Sequence, residues 1–560
     1  MKEHIALRSA LKSEREKASV SEITSEGIEG EALDAGLTES AQACAAQVQD
    51  LRLKFPGEPQ FVFKDLSFQV RRGEKVLLLG PSGSGKSTLL QVLSGIIPDL
   101  VEVPMRCLAK QIPDSWGFLF QDPDTQFCMP YVDEELAFAL ENLGVPQTDM
   151  TGRMMEVLEK VGLRLHELHV PINSLSQGMK QRLALASVLL SDPEVLLLDE
   201  PSALLDPEGR RLIWQSISRI AQQRTLIIVE HRIEEILALG LVDRVALFGP
   251  DGRLLGQGTP ETVFREYNRE LQEFGIWYPG VWENFFAGPV GSQLSEPIGA
   301  SCSMDHAAAA PVVELSHFRG LRQGKPVIQV DHASVRPGDF IAITGPNGAG
   351  KSSLLLSLMG LLPSDGEYVL QGVHMQGGEK LSRRVRKRQM ELAAEEIGFV
   401  FQNPEFQFIA DQVKEEIAFS LREEGLSDGE LRERIDQTLQ QFGLQGCEGR
   451  HPYQLSLGQK RRLSVASAAI RKRPLLLLDE PTFGQDAVNT FAILELCEEL
   501  RRQGTAIVMV THEDWIADRI ATQRWEVEEG RLISLSQTER RAQVAEASFA
   551  ARPVQGGTGE

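Results

Sequence analysis

The chain has little cysteine. Its six (Cys44, Cys107, Cys128, Cys302, Cys447 and Cys497) form no Cys-x-x-Cys pair in 560 residues. This argues against both a zinc site and a disulfide framework, and leaves reduced cysteines used in packing. Long apolar runs are missing too. The longest, such as Val195–Leu198 and Leu475–Leu478, are strand-sized, far from the ~20 residues of a membrane-spanning helix. Positive charge is in deficit, with 58 Lys and Arg against 79 Asp and Glu and a formal net charge of −21. An acidic surface removes any global attraction to phosphate backbones and argues against a nucleic-acid partner. Met1–Val20 mixes Lys, Glu and Arg without an apolar stretch, so no secretory leader is expected and a cytoplasmic location is. What is present, 42% hydrophobic and 24% charged residues, suits a globular protein with real cores.

The informative feature is a set of motifs written twice. Gly80-Pro81-Ser82-Gly83-Ser84-Gly85-Lys86-Ser87-Thr88 and Gly345-Pro346-Asn347-Gly348-Ala349-Gly350-Lys351-Ser352-Ser353 both fit a phosphate loop. In such a loop, glycines between a strand and a helix let backbone N–H groups surround phosphate oxygens. Lys86 and Lys351 can then reach β- and γ-phosphates, and the hydroxyls of Ser87 and Ser352 can ligate Mg²⁺. ATP or a close relative is the expected ligand. Further on, Val195-Leu-Leu-Leu-Asp199-Glu200 and Leu475-Leu-Leu-Leu-Asp479-Glu480 put a buried strand directly before two carboxylates. A parallel strand ending at the ligand edge of a sheet places Asp199 and Asp479 near the metal and Glu200 and Glu480 where a general base orients water.

Spacing supports duplication. The two loop lysines are 265 residues apart and the two acidic pairs 280 apart, so the second copy carries about 15 extra residues. They fall in Gln371–Leu392 and include Arg383, Arg384, Arg386, Lys387 and Arg388, either a solvated helix face or a contact for lipid head groups or an acidic partner. The expected fold is α/β, with domains over 51–285 and 312–536. Residues 286–311, rich in Gly, Ala, Ser and Pro, read as a linker. A flexible extension is expected over 1–50, with a short helix at Ile5–Lys17 as the alternative, and a disordered tail over 537–560.

With these motifs in place, both halves resemble the nucleotide-binding domains of ABC ATPases. The resemblance covers roughly residues 51 to 270 and 312 to 535. It implies two tandem P-loop domains, each with an ATP-binding α/β core, an antiparallel β part and a helical subdomain. Leu175-Ser176-Gln-Gly178-Met179 and Leu455-Ser456-Leu-Gly458-Gln459 resemble the family signature, usually Leu-Ser-Gly-Gly-Gln, with departures at Gln177, Met179 and Leu457. In the family, one domain's signature completes the other's pocket, so Ser456 and Gly458 are expected at Lys86, and Ser176 and Gly178 at Lys351. Gln121 and Gln402 resemble the glutamine loop, implying contact with metal and attacking water. His231 and His512 resemble the switch histidine, and Asp206 and Asp486 the loop that crosses between domains. Phe55 resembles the adenine-stacking aromatic, with plain packing as the other reading; for its second counterpart Phe318 and Arg319 compete.

Asp122-Pro-Asp-Thr-Gln126-Phe and Asn403-Pro-Glu-Phe-Gln407-Phe resemble a stretch found in energy-coupling-factor importers, which take up vitamins and metal ions. That resemblance implies an ATP-hydrolysing subunit peripheral to the cytoplasmic face of the membrane. Its partners would be a transmembrane coupling subunit and a substrate-binding membrane subunit, with the two halves pairing within one chain. Helices expected at Val132–Asn142 and Val413–Arg422 would cradle the coupling subunit, unless Leu136, Phe138, Ile417 and Phe419 belong to the core. A tandem ATPase acting on ribosomes and a fused sugar-importer ATPase are the competing readings.

Overall fold

The computed structural model describes residues 44–58, 60–203, 205–295, 310–375, 377 and 382–538. From Ala45 onward the chain is one compact unit. Each half is α/β, and the repeat in sequence is a repeat in topology.

In the first half, six strands lie in the order Leu254–Gly258, Arg244–Phe248, Lys75–Leu79, Thr225–Val229, Val195–Asp199, Trp116–Leu119. All neighbours are parallel except the outermost pair, Leu254–Gly258 with Arg244–Phe248. The second half repeats this with Phe340–Thr344 between Ala506–Val510 and Gln523–Glu528, and Leu475–Asp479 beyond. Every residue of Val195–Asp199, Thr225–Val229, Leu475–Asp479 and Ala506–Val510 is buried, because helices cover both faces of a parallel sheet and leave no solvent side to alternate with. The antiparallel part alternates instead, as in Phe63–Arg71 and Val313–Arg322. In the second half Val313–Arg322 and Lys325–Val335 are continuous with the parallel strands in one ten-stranded sheet.

Helices Val132–Asn142, Gln147–Lys160 and Gln177–Leu189 form the helical part of the first half, and Val413–Leu421, Asp428–Gln441 and Leu457–Ala469 that of the second. Leu136 and Ile417 are core residues, Phe138 is half-buried, and Phe419 is 45% exposed. The extra residues of the second copy form helix Arg383–Glu396, whose Arg383, Arg384, Arg386, Lys387 and Arg388 are all exposed.

Two boundaries differ from the sequence reading. Strand Cys44–Leu53 begins inside the stretch expected to be flexible, because its apolar residues pack under Phe63 and Leu66. The expected helix at Ile5–Lys17 and the tail from 539 lie outside the described residues. The stretch read as a linker is also structured at its start: helix Val281–Ala287 runs into it and helix Pro289–Ser295 follows, ahead of 296–309, which lie outside the described residues. This strap is held by aromatic packing against the second half. Trp282 meets Phe491 edge-on at 5.1 Å and stacks near Trp515 at 6.3 Å, and Phe285 stacks on Phe491 at 3.9 Å. The segment leading into it bonds there too, Ala487 N donating to Gly275 O at 2.8 Å. Trp277 Nε1 donates to Gln485 O at 2.9 Å. One apolar core therefore runs from Leu77 and Leu198 of the first half through Trp277 and Trp282 to Ala342 and Leu478 of the second.

Candidate functional site

Both phosphate loops turn into a helix at their lysine, Lys86–Ser94 and Lys351–Leu358. The preceding Gly85 and Gly350 are left-handed, at φ 89° and 106°. A Cβ on Gly85 would lie 2.6 Å from the Val62 side chain and one on Gly350 2.7 Å from the Val327 carbonyl oxygen, so only glycine fits the turn. Lys86 Nζ donates to the carbonyls of Gly80 (2.7 Å) and Pro81 (2.9 Å), and Lys351 repeats both bonds on Gly345 and Pro346. Burial pushes the Lys86 ammonium down to about 8 and lowers that of Lys351 as well, because a cation loses hydration inside the curl of the loop. Around Lys86 lies a cavity of about 1150 Å³ lined by Phe55, Ser82, Ser87, Glu200, His231 and Arg253, among others of the first half.

The remaining motif residues converge at each loop. Ser87 Oγ donates to Asp199 Oδ1 at 2.8 Å and Ser352 Oγ to Asp479 Oδ1 at 3.0 Å. Burial pushes both aspartates up to about 6, outweighing the serine bond and the nearby cations, since a carboxylate loses its hydration there. A hydroxyl and a carboxylate oxygen, with phosphate oxygens alongside, are the hard donors that suit Mg²⁺. Gln121 Nε2 donates to Glu200 Oε2 at 2.9 Å, and His231 Nε2 lies 3.1 Å from Glu200 Oε1. The second half repeats the pattern, Gln402 to Glu480 at 2.9 Å and His512 to Glu480 at 3.1 Å. Burial alone would raise both glutamates, but the histidine beside each outweighs it and holds them below the usual value. Both stay ionised and able to accept a proton.

Ser176 and Ser456 cap the helices Gln177–Leu189 and Leu457–Ala469, accepting from Met179 N and Gln459 N at 3.3 Å each. Gln459 returns a bond, accepting from Ser456 N at 3.0 Å, and closes a capping box; the thioether of Met179 has no such group to offer. Gly178 and Gly458 each pack against their own half's crossing loop, beside Leu205 and Gln485. Neither signature serine is among the residues lining the Lys86 cavity. What does cross is Asp206, whose Oδ2 accepts from Asn347 N of the second phosphate loop at 3.2 Å. Phe55 lines the cavity while packing against the first-half core. Phe318 is core, edge-on to Tyr368, so it is not free to be the second half's stacking group, and Arg319 pairs with Asp365.

The sequence reading missed Lys180 and Lys460. Lys180 Nζ bonds Asp124 at 2.7 Å and Lys460 Nζ bonds Glu405 at 2.6 Å. Gln126 and Gln407 reinforce the joint by donating to Ala184 O and Ser464 O. Each pair ties the glutamine loop to the signature helix. The available signal was their repetition, each lysine standing four residues after a signature serine.

The sequence model of the family described as "ABC transporter" matches residues 63–203 and 329–483, more than half of the chain. The chain belongs to the ABC transporter family. This ABC ATPase is 34% identical over 496 residues to the Bacillus subtilis (strain 168) protein named "Putative HMP/thiamine import ATP-binding protein YkoD", covering 83% of this chain and 86% of that one. It is 33% identical over 494 residues to an ABC transporter ATP-binding protein of Streptococcus pneumoniae serotype 4, with the same two coverages. In fold it is similar to the archaeal ribosome recycling factor aABCE1 solved with the stalk protein aP1, at TM-score 0.57 and 19% identity, over 89% of this chain and 92% of that one. The chain is an ATP-binding subunit of the ABC type, and its ATP hydrolysis is coupled to transport. No helix among the described residues is long and apolar enough to cross a membrane.

Proposed function

We propose that this ABC ATPase powers an importer of the energy-coupling-factor type, peripheral to the cytoplasmic face of the membrane. Its partners would be a transmembrane coupling subunit and a substrate-binding membrane subunit, and its cargo a vitamin, a vitamin precursor or a metal ion. The observation that carries this reading is the 34% identity, spread over 83% of the chain, to a relative named for import. Two features support it. Both halves keep the full Gln–Glu–His set, Gln121–Glu200–His231 and Gln402–Glu480–His512. Beside the second glutamine loop, Phe406 (76% exposed), Ile409, Phe419 and Tyr453 leave apolar side chains in solvent, the kind of patch that marks a protein partner.

In this mechanism Lys86 and Lys351 hold the β- and γ-phosphates within the glycine loops, and the second half's Ser456 and Gly458 close over the first pocket while Ser176 and Gly178 close over the second. Ser87, Asp199 and Gln121 in the first pocket, and Ser352, Asp479 and Gln402 in the second, would hold Mg²⁺, which would supply positive charge against the phosphates. Glu200 and Glu480 take the proton of the attacking water, held in place by His231 and His512. Phe55 stacks on adenine in the first pocket. Closure and reopening of the halves then move the glutamine loops against the membrane partner.

The test is purification of the tagged full chain from solubilised membranes, with identification of its attached subunits. Recovery with a coupling subunit and a small substrate-binding membrane protein is expected. Recovery with ribosomes, or with a sugar-importer permease, would overturn the reading.

A further inference from the structure

The residues after the two histidines carry opposite charge: Arg232 follows His231 and Glu513 follows His512. They hold equivalent positions in the two halves, and they are bonded to each other, Arg232 Nη2 on Glu513 Oε1. Equivalent positions touch only on the two-fold axis that relates two copies, so this pair marks the pseudo-symmetry axis of the molecule. It is well sequestered, with the side chains 25% and 11% exposed.

Each partner is anchored in its own half. His231 Nε2 lies 3.1 Å from Glu200, and Arg232 N donates to Glu230 Oε1 at 3.3 Å. His512 Nε2 lies 3.1 Å from Glu480, and Glu513 N donates to Thr511 Oγ1 at 3.1 Å. A short path thus joins the two glutamates: Glu200, His231, Arg232, Glu513, His512, Glu480. Burial alone would raise the Glu513 carboxyl, yet the facing guanidinium holds it below its ordinary value. Two first halves brought together would set arginine against arginine, and two second halves glutamate against glutamate, each a buried like-charge contact.

We infer that the Arg232–Glu513 pair is a positioning link through which the two ATP sites sense each other, and that it makes the unlike halves pair with one another rather than with like halves of a second chain. A shift of either histidine as nucleotide binds or is hydrolysed displaces one end of a pair whose other end orients the opposite histidine. The inference rests on both pockets binding ATP, as proposed above, and nucleotide stoichiometry checks that separately.

The experiment compares the full-length wild type, Arg232→Gln, Glu513→Gln, and the charge swap Arg232→Glu with Glu513→Arg. Measured are bound ATP per chain, kcat, KM and the Hill coefficient for ATP. Each neutral variant is expected to bind two ATP per chain, with kcat down about tenfold, KM little changed and the Hill coefficient at one. The swap rebuilds an ion pair across the axis, although its glutamate would then lie near Glu234 and Glu235 and its arginine near Arg210, and it is expected to restore cooperativity and part of kcat, which loss of folding alone would not explain. Wild-type cooperativity in either neutral variant overturns the inference. So does a swap no better than the neutral variants, which is the deciding comparison if a single variant fails to fold. One ATP per wild-type chain would overturn the two-site reading, and the link with it.

Discussion

Asp206 and Asp486 head equivalent helices, and the Oδ1 of each accepts from the N–H of the third helical residue, Gly209 N and Asn489 N, both at 2.8 Å. Their second oxygens diverge. Asp206 Oδ2 reaches into the other half and accepts from Asn347 N at 3.2 Å, whereas Asp486 Oδ2 is taken by the side chain of its neighbour Asn489 at 2.8 Å. A glycine at 209 and an asparagine at 489 account for the difference, since only the asparagine supplies a local amide to satisfy the free oxygen. A second asymmetry lies behind the glutamine loops. Gln181 donates to Phe120 O in the first half, while in the second half Arg461 donates to Phe401 O and lies near Glu480 and Asp479. Duplication has kept the reacting groups and changed the charge around them, so the two pockets should work at different rates.

The largest test of that contrast is removal of one proposed base at a time. Glu200→Gln and Glu480→Gln should each cut turnover at their own site about 10²- to 10⁴-fold while ATP still binds, and by unequal amounts in single-turnover assays. Equal losses would break the contrast, and lost binding would break the assignment. Next in size is a pH effect on the first pocket. A neutral lysine attracts no phosphate, and Lys86 sits at about 8, so ATP affinity measured in Lys351→Ala should fall above pH 8, by up to about tenfold per pH unit. Constant affinity from pH 7 to 10 would remove Lys86 from phosphate binding.

Smaller effects sharpen the comparison. Asp206→Ala and Asp486→Ala both lose a helix cap worth about 1 kcal/mol, so their stabilities should fall together. Only Asp206→Ala also loses the bond to the second phosphate loop, and its KM for ATP should rise a few-fold more. Matching KM values would make the crossing bond idle. The smallest effect is Trp277→Phe, which keeps a ring in the strap but leaves the Gln485 carbonyl without its donor, at a cost of about 1–3 kcal/mol in denaturant unfolding. No change would mean that the ring packing alone holds the strap.

Which parts were legible in the sequence follows from the distance over which each signal acts. Phosphate loops, strand-ending carboxylates and capped signature helices are each written within a few residues, so Lys86, Asp199, Glu200 and Ser176 could be named with their partners of the second half. The strap could not be read that way. Phe285 and Phe286 sit in a stretch whose glycine, alanine and proline suggest a tether, and their partners Phe491 and Trp515 are some 200 residues further along. The start of strand Cys44–Leu53 was missed for a similar reason: its first residues, Cys-Ala-Ala, carry no strand pattern and are placed by the core they cover. Arg232 and Glu513 look like ordinary surface charges until the fold sets them face to face.

Glu200 and Glu480 carry positive φ angles, 48° and 49°, a left-handed twist that costs a residue with a Cβ about 1–2 kcal/mol. Each is held in it by its own N–H, Glu200 to Val229 O at 2.8 Å and Glu480 to Val510 O at 3.2 Å. The carboxylates are therefore aimed by main chain pinned to the adjacent strand. A side chain branched at Cβ would resist that twist, whereas glutamine keeps the same unbranched stem. Within this turn, a substitution can trade chemistry among straight-chained residues but cannot trade shape.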